Sequence, residues 1–275
     1  MTTVFVFAHQ DDDFGVFHEI ADAVARKERV VCIYLTNGAW AGVTPQQRNS
    51  ESLTVLTSLG VNTEAIKFLG TELDIPDGSL VENLDRCWDK LLSEVEALED
   101  VTRVIVPAWE GGHHDHDAAH LVGLALARHL NVLDQSRQYP FYRAPTLGFW
   151  LSFAAPLEAN GPATLRPMGW RERLDYLLLL RHYRSQGSVM LKLAPQLAWS
   201  YLTKGDQTLQ PLNPRRALEA PMERPLLYET WGLCTYERFR THADPFIARH
   251  IVSGPSLDAG ETAQRHSLAE PSKTN

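Results

Sequence analysis

At 275 residues, with 44% hydrophobic and 22% charged positions, the chain is long enough for one large domain with a deep core and has the composition of an ordinary globular protein. Its formal net charge of −8, spread without blocks of like sign, argues against a nucleic-acid binder, which would want a basic stripe. No run approaches the ~18 apolar residues needed to span a membrane. The three cysteines, Cys32, Cys87 and Cys234, form no CxxC pair, so neither a zinc ribbon nor a disulfide framework is supported. The chain enters a strand without a basic stretch and apolar leader segment, and a cytoplasmic location is expected.

In chain order, residues 4–7 read as a strand and residues 14–26 as a helix with Phe14, Phe17, Ile20, Ala21 and Val24 on one face. A second strand over 30–35 ends at Thr36-Asn37-Gly38. A second helix begins at Pro45, carries Leu53, Leu56 and Leu59, and stops at Gly60. A third strand over 65–69 precedes a helix over 80–98, a fourth strand over 104–106 and a helix over 116–130. Short, uniformly apolar strands alternating with helices predict an α/β, Rossmann-like fold. Its sheet should be mostly parallel, with helices on both faces.

Beyond Leu130 the period weakens. Residues 146–153 read as a strand paired with 139–143, and 170–185 as a helix carrying Leu174, Leu177, Leu178 and Arg181. Residues 191–251 show no clean order. A single domain over 1–252 is expected, with 1–130 as the βα core and 131–252 completing the sheet and covering the substrate. The polar stretch 253–275 is expected to be a disordered tail.

Two polar clusters follow apolar strands. Ala8-His9-Gln10-Asp11-Asp12-Asp13 follows the first, and Gly111-Gly112-His113-His114-Asp115-His116 follows the fourth. Strand ends of this kind are where α/β proteins assemble active sites. His9 and Asp12, three apart, project to one side of a beginning helix, and His116 enters from the other cluster. These three ligands leave a position for water, whose pKa a zinc ion lowers from ~16 to near 7. Asp11, free of the metal, can take the proton as water attacks a carbonyl carbon. His113 is read as stabilising the oxyanion or protonating the leaving amine, and Asp115 as orienting a histidine. His18, His120 and His129 are read as structural, and His114 as a spectator. Taken alone, a run of acids before a helix is commonly only a cap. The equivalent position of both clusters in one alternating pattern favours a metal site.

At these residues the chain resembles the PIG-L/LmbE-like deacetylase family. The family's AHPDDE motif reads Ala8-His9-Gln10-Asp11-Asp12-Asp13 here, and its HxDH motif reads His113-His114-Asp115-His116. Arg48-Asn49-Ser50-Glu51, Asp77-Gly78 and Ser185-Gln186 resemble further family signatures, over residues 3 to 187 in all. The resemblance implies zinc-dependent removal of an N-acetyl group from an amino sugar through a zinc-bound water. It makes His9, Asp12 and His116 metal ligands, Asp11 the base and His113 the electrophilic partner. Arg48 and Asp77 would bind sugar hydroxyls, and Asp13 would support the site. Zn2+ is the expected metal, with Fe2+ and Mn2+ sharing the same ligands. A homo-oligomer is left open.

Gln10 in place of the motif proline is expected to loosen the turn, and Asp13 in place of glutamate to shorten a supporting group. Gly111 stands where some members carry a tyrosine. Two other functions fit parts of the pattern. An amidase of the same family would cleave a larger N-acyl group, using Tyr142, Trp150, Trp170 and Trp199 to build a bulkier pocket. A non-haem iron oxygenase would also use two histidines and a carboxylate, normally on a β barrel.

Overall fold

A computed structural model describes residues 1–144 and 152–253. The chain begins with β1 (Thr2–Phe7), α1 (Phe17–Ala25), β2 (Arg29–Tyr34) and α2 (Pro45–Ser58). It continues through β3 (Ile66–Phe68), α3 (Leu69–Glu72), α4 (Leu84–Glu96), β4 (Val101–Pro107) and α5 (His114–His129). The second half adds β5 (Arg137–Tyr139), the short pair β6 (Tyr142–Arg143) and β7 (Ser152–Phe153), and β8 (Thr164–Pro167). There follow α6 (Trp170–Leu179), α7 (Gly187–Thr203), β9 (Asp206–Pro211), α8 (Leu227–Thr230) and α9 (Tyr236–Ile247).

Seven strands form one sheet in the order β3-β2-β1-β4-β5-β9-β8. The first five run parallel, and β9 lies antiparallel to both β5 and β8. This is the expected α/β architecture; its open, mostly parallel sheet is not the barrel on which the oxygenase reading rested. All six residues of β1 are buried. Val4 and Val6 pack into the core layer that holds Leu91, Leu121 and Phe246. Phe5 and Phe7 pack into the opposite layer with Phe17, Val55 and Tyr139. A strand buried on both faces has no polar side to show, which is why residues 4–7 are continuously apolar. All three cysteines are buried free thiols.

The chain moves from β1 to β2 on one side and to β4 on the other, so the strand order reverses at the β1–β4 pair. That reversal opens a crevice at the carboxyl ends of both strands. The two polar clusters leave the sheet there.

Several element ends differ from the sequence reading. The first helix does not start at Phe14: a 3-10 turn, Asp12–Gly15, comes first, and Val16, at φ −141°, separates it from α1. The fourth helix starts at His114 rather than His116, because the His113 side chain caps it by accepting from the Asp115 amide. In α6 the buried side carries Tyr176, while Leu174 and Leu178 face outward. The helix ends at Leu179 and gives way to two short 3-10 turns. The strand expected over 146–153 is described only at Ser152–Phe153, paired with Tyr142–Arg143, while Tyr139 belongs to the main sheet. Its remainder, Trp150 and the tail from residue 254 lie outside the described residues. Within 191–251, which the sequence left unordered, the sheet recruits β9 between β5 and β8.

Candidate metal centre

The turn after β1 is built around Asp12. Its Oδ2 accepts the amides of Ala8 (3.0 Å) and His9 (2.8 Å), which turns Oδ1 towards the crevice. There His116 Nε2 lies 3.0 Å from Oδ1, and His9 Nδ1 lies 3.6 Å from it. One donor atom from each of His9, Asp12 and His116 lies within 4.8 Å of the others, and all three residues are buried. Two imidazoles and a carboxylate are a donor set that zinc, iron and manganese all accept, so these residues fit a divalent cation. In a second grouping, one donor atom from each of His9, His113 and Asp115 lies within the same 4.8 Å of the others. Both Asp115 oxygens, however, are already held by backbone amides, Oδ2 by Gly78 (2.6 Å) and Oδ1 by Leu80 (3.0 Å).

The other nitrogen of His9, Nε2, lies 3.2 Å from Asp115 Oδ2 and 3.3 Å from Asp77 Oδ1. A carboxylate on the far ring nitrogen fixes the orientation of an imidazole ligand and raises its basicity. Burial opposes a charge on His9, but the carboxylates of Asp77 and Asp12 outweigh it and raise its pKa well above the usual histidine range. Asp12 is also buried, yet His116 and His9 hold its carboxyl well below the usual range.

Asp11 points to the other side of the turn. Arg48 Nη2 donates to its Oδ1 at 2.6 Å, while Nη1 of the same guanidinium donates to Gly38 O at 3.1 Å. Burial raises the Asp11 pKa, and the guanidinium opposes that rise. Arg48 is thus bound to Asp11 and the Gly38 loop and is only 3% exposed, while its Nε has no hydrogen-bond partner among the described residues. Asp77 is bound from two sides, by His9 and by Arg48 Nη1 at 3.8 Å. The structure brings both residues into the site as neighbours of Asp11 and of His9.

His113 accepts the Asp115 amide through Nδ1 at 3.2 Å, which leaves the ring proton of a neutral imidazole on Nε2. Burial, reinforced by the charge of His9, lowers its pKa to about 3. His113 and His9 meet edge-on with ring centres 4.9 Å apart. His114 has a structural part: its Nε2 pairs with Gly78 O at 3.0 Å and its ring stacks on His113 at 4.6 Å, tying the two loops together. His120 Nδ1 pairs with Pro107 O at 2.9 Å beneath the cluster, as a structural residue would.

The expected effect of Gln10 is reversed by its contacts. Its Nε2 donates to Thr36 O (3.0 Å) and to Asn49 Oδ1 (2.9 Å), so the side chain clamps the turn instead of loosening it. Asp13 is fully buried and accepts the Tyr183 hydroxyl at 2.7 Å. Glu51 accepts both the amide and the hydroxyl of Ser185, at 2.9 and 2.6 Å, joining two signatures far apart in sequence.

Three residues at the site carry no motif. Glu110 Oε1 accepts the Phe141 amide at 2.7 Å, and burial pushes its carboxyl up to about 8. Asp117 Oδ1 accepts the amides of Glu110 and Gly111 and closes the loop before α5. Tyr142 covers His116 with ring centres 5.4 Å apart, and Trp231 packs on it at 6.0 Å. The available signal was position: Tyr142 follows β5, the next strand along the same edge of the sheet.

Residues 4–127 match the family model of PIG-L, described as GlcNAc-PI de-N-acetylase. None of the curated proteins matches the chain. Among solved structures, the zinc-inhibited form of teicoplanin deacetylase Orf2 is similar at a TM-score of 0.59 and 17% identity, over 77% of this chain and 97% of that one. The A40926 pseudoaglycone deacetylase Dbv21 is similar at 0.58 and 17%, over 76% and 96%. The N,N'-diacetylchitobiose deacetylase from Pyrococcus horikoshii is similar at 0.50 and 15%, over 76% and 82%. At these identities the likeness establishes the fold.

Proposed function

We propose that this chain, whose residues 4–127 match the PIG-L family model, is a metal-dependent hydrolase that removes the N-acetyl group from an N-acetylated amino sugar. One observation carries the reading. The paired clusters converge on one point, with His9, Asp12 and His116 surrounding it and a buried carboxylate and a neutral histidine beside it. The family description and the deacetylases of like fold support de-N-acetylation.

His9, Asp12 and His116 would hold the cation, with zinc as the first candidate and iron or manganese chemically admissible. When bound, such a cation polarises the amide carbonyl and acidifies water. Asp11 receives the proton of the attacking water. Arg48 fixes its Oδ1, and the elevated pKa brings its proton affinity nearer to neutrality, where general bases work best. His113, uncharged, donates from Nε2 to the carbonyl oxygen as negative charge develops there. The proton held by Asp11 then passes to the departing nitrogen, so that water and amide become acetate and amine. Arg48 serves this reaction as a positioning residue for Asp11, and Asp77 keeps a partly exposed carboxylate that can accept a sugar hydroxyl.

An amidase acting on a larger N-acyl group is the second reading, favoured by the Tyr142–Trp231 wall beside His116. Zinc-loaded protein assayed for free amine on N-acetylglucosamine glycosides and on longer acyl analogues separates the two. The proposal expects faster release from the acetylated sugars. Release confined to long acyl chains would favour the amidase, and release from neither would remove both.

A further inference from the structure

Exposed apolar side chains are ordinary on a protein surface when they occur singly. Here they are not scattered. Among the described residues twelve large hydrophobics are exposed, and six of them fall between β8 and the end of α7: Leu165, Trp170, Leu174, Leu178, Trp199 and Leu202, at 46–71% exposure. Three form a row on α6, where Trp170, Leu174 and Leu178 recur every fourth residue and so share one face. The buried side of the same helix is supplied by Tyr176 and by Arg173, which donates to Met168 O, Tyr201 O and Gly205 O. Arg173 also lies over the Trp170 ring at 4.5 Å, but all three side chains of the row remain more than half exposed. Beside it β8 forms the outer edge of the sheet, a template for further association.

The charges along the row identify what fits it. Arg171 and Asp175, both exposed, flank the same edge of the stripe, one turn apart. If a second α6 lies antiparallel with the two-fold axis at Leu174, each Trp170 meets the partner's Leu178, and the two Leu174 side chains meet each other. In that arrangement the Arg171 edge faces the partner's Asp175 edge. Arg171 and the partner's Asp175 are then offset by about 3 Å along the helix axis, within reach of an arginine side chain. The row is complementary to itself in shape and in charge, as an isologous contact must be.

We propose that this face binds a second copy of the chain, giving a two-fold dimer centred on Leu174 of α6. The inference does not depend on the reaction assigned to the crevice.

Light scattering coupled to gel filtration, run over a dilution series, tests it. The expected mass is twice 30.9 kDa, falling to the single-chain value for Leu174→Glu with an unchanged circular dichroism spectrum and Tm. Leu178→Lys provides the same test should Leu174→Glu misfold. Arg171→Asp should weaken the dimer by ~10-fold or more, and the exchange Arg171→Asp/Asp175→Arg should restore it, an outcome that requires two copies of the same helix. A wild-type protein that stays monomeric overturns the proposal, as does a dimer indifferent to Leu174→Glu and Leu178→Lys. A monomer that sediments with phosphatidylcholine vesicles would assign the face to a lipid surface instead.

Discussion

The carboxylates of the crevice differ because their neighbours differ. Asp12 is held ionised by two imidazoles, Asp11 is raised by burial against one guanidinium, and Asp13 is buried against the hydroxyl of Tyr183. Removing that hydroxyl by Tyr183→Phe takes the donor away from a carboxyl whose Oδ2 already has no partner. The variant should lose about 1–3 kcal/mol of stability in urea denaturation, the cost of an unmet buried polar group. Glu110, beside the metal ligands rather than among them, gives a pH signature of its own. Burial raises its pKa from 4.5 to about 8, so the folded protein binds this proton more tightly than the unfolded chain does. Stability should therefore fall as pH rises from about 4.5 through about 8, by an amount on the order of 2–5 kcal/mol. Glu110→Gln keeps an acceptor for the Phe141 amide, so its urea midpoint should fall less over that window. An unchanged slope would mean that Glu110 is ionised in the folded state.

At the scale of elements, the site exists because two strand ends meet at the sheet's reversal and the loops beyond them are locked together. Gly112 shows how little room the locking leaves: a Cβ there would stand 1.8 Å from the backbone oxygen of Tyr142. Gly112→Ala should force the loop before α5 away from β6, displacing His113 and His116. We expect a loss of at least about 2 kcal/mol in stability, together with weaker zinc retention on dialysis. Zinc retained at the wild-type level in a folded Gly112→Ala protein would show that the loop is not what sets His116. The Gln10 clamp belongs to the same scale, since it fastens the first cluster to α2 through Asn49 and to the end of β2 through Thr36.

At the scale of the whole molecule, the βα half was legible because parallel strands buried on both faces leave an apolar signature with helices between them. The clusters were legible because each directly follows such a strand. That the two meet was not written locally; it follows from the order that sets β1 beside β4. The second half was obscure for a physical reason. Strand β9 sits inside the sheet yet carries Gln207, Thr208 and Gln210 buried. Gln210 is satisfied by the carbonyls of Leu157 and Gly161, so a central strand reads as polar sequence. Helix α7 contains Pro195, which broke the helical pattern. Arg48 was legible as a site residue, but whether it faces sugar or Asp11 depends on a contact across 37 positions of sequence.

The proposed reaction divides labour within one turn, with Asp12 serving the cation and Asp11 the proton. Asp11→Asn, measured for zinc content by mass spectrometry and for amine release on the preferred N-acetylated substrate, tests that division most directly. Zinc content should stay at the wild-type level while turnover falls by roughly 10²–10⁴-fold, the usual contribution of a general base. Zinc retained with full turnover would contradict it.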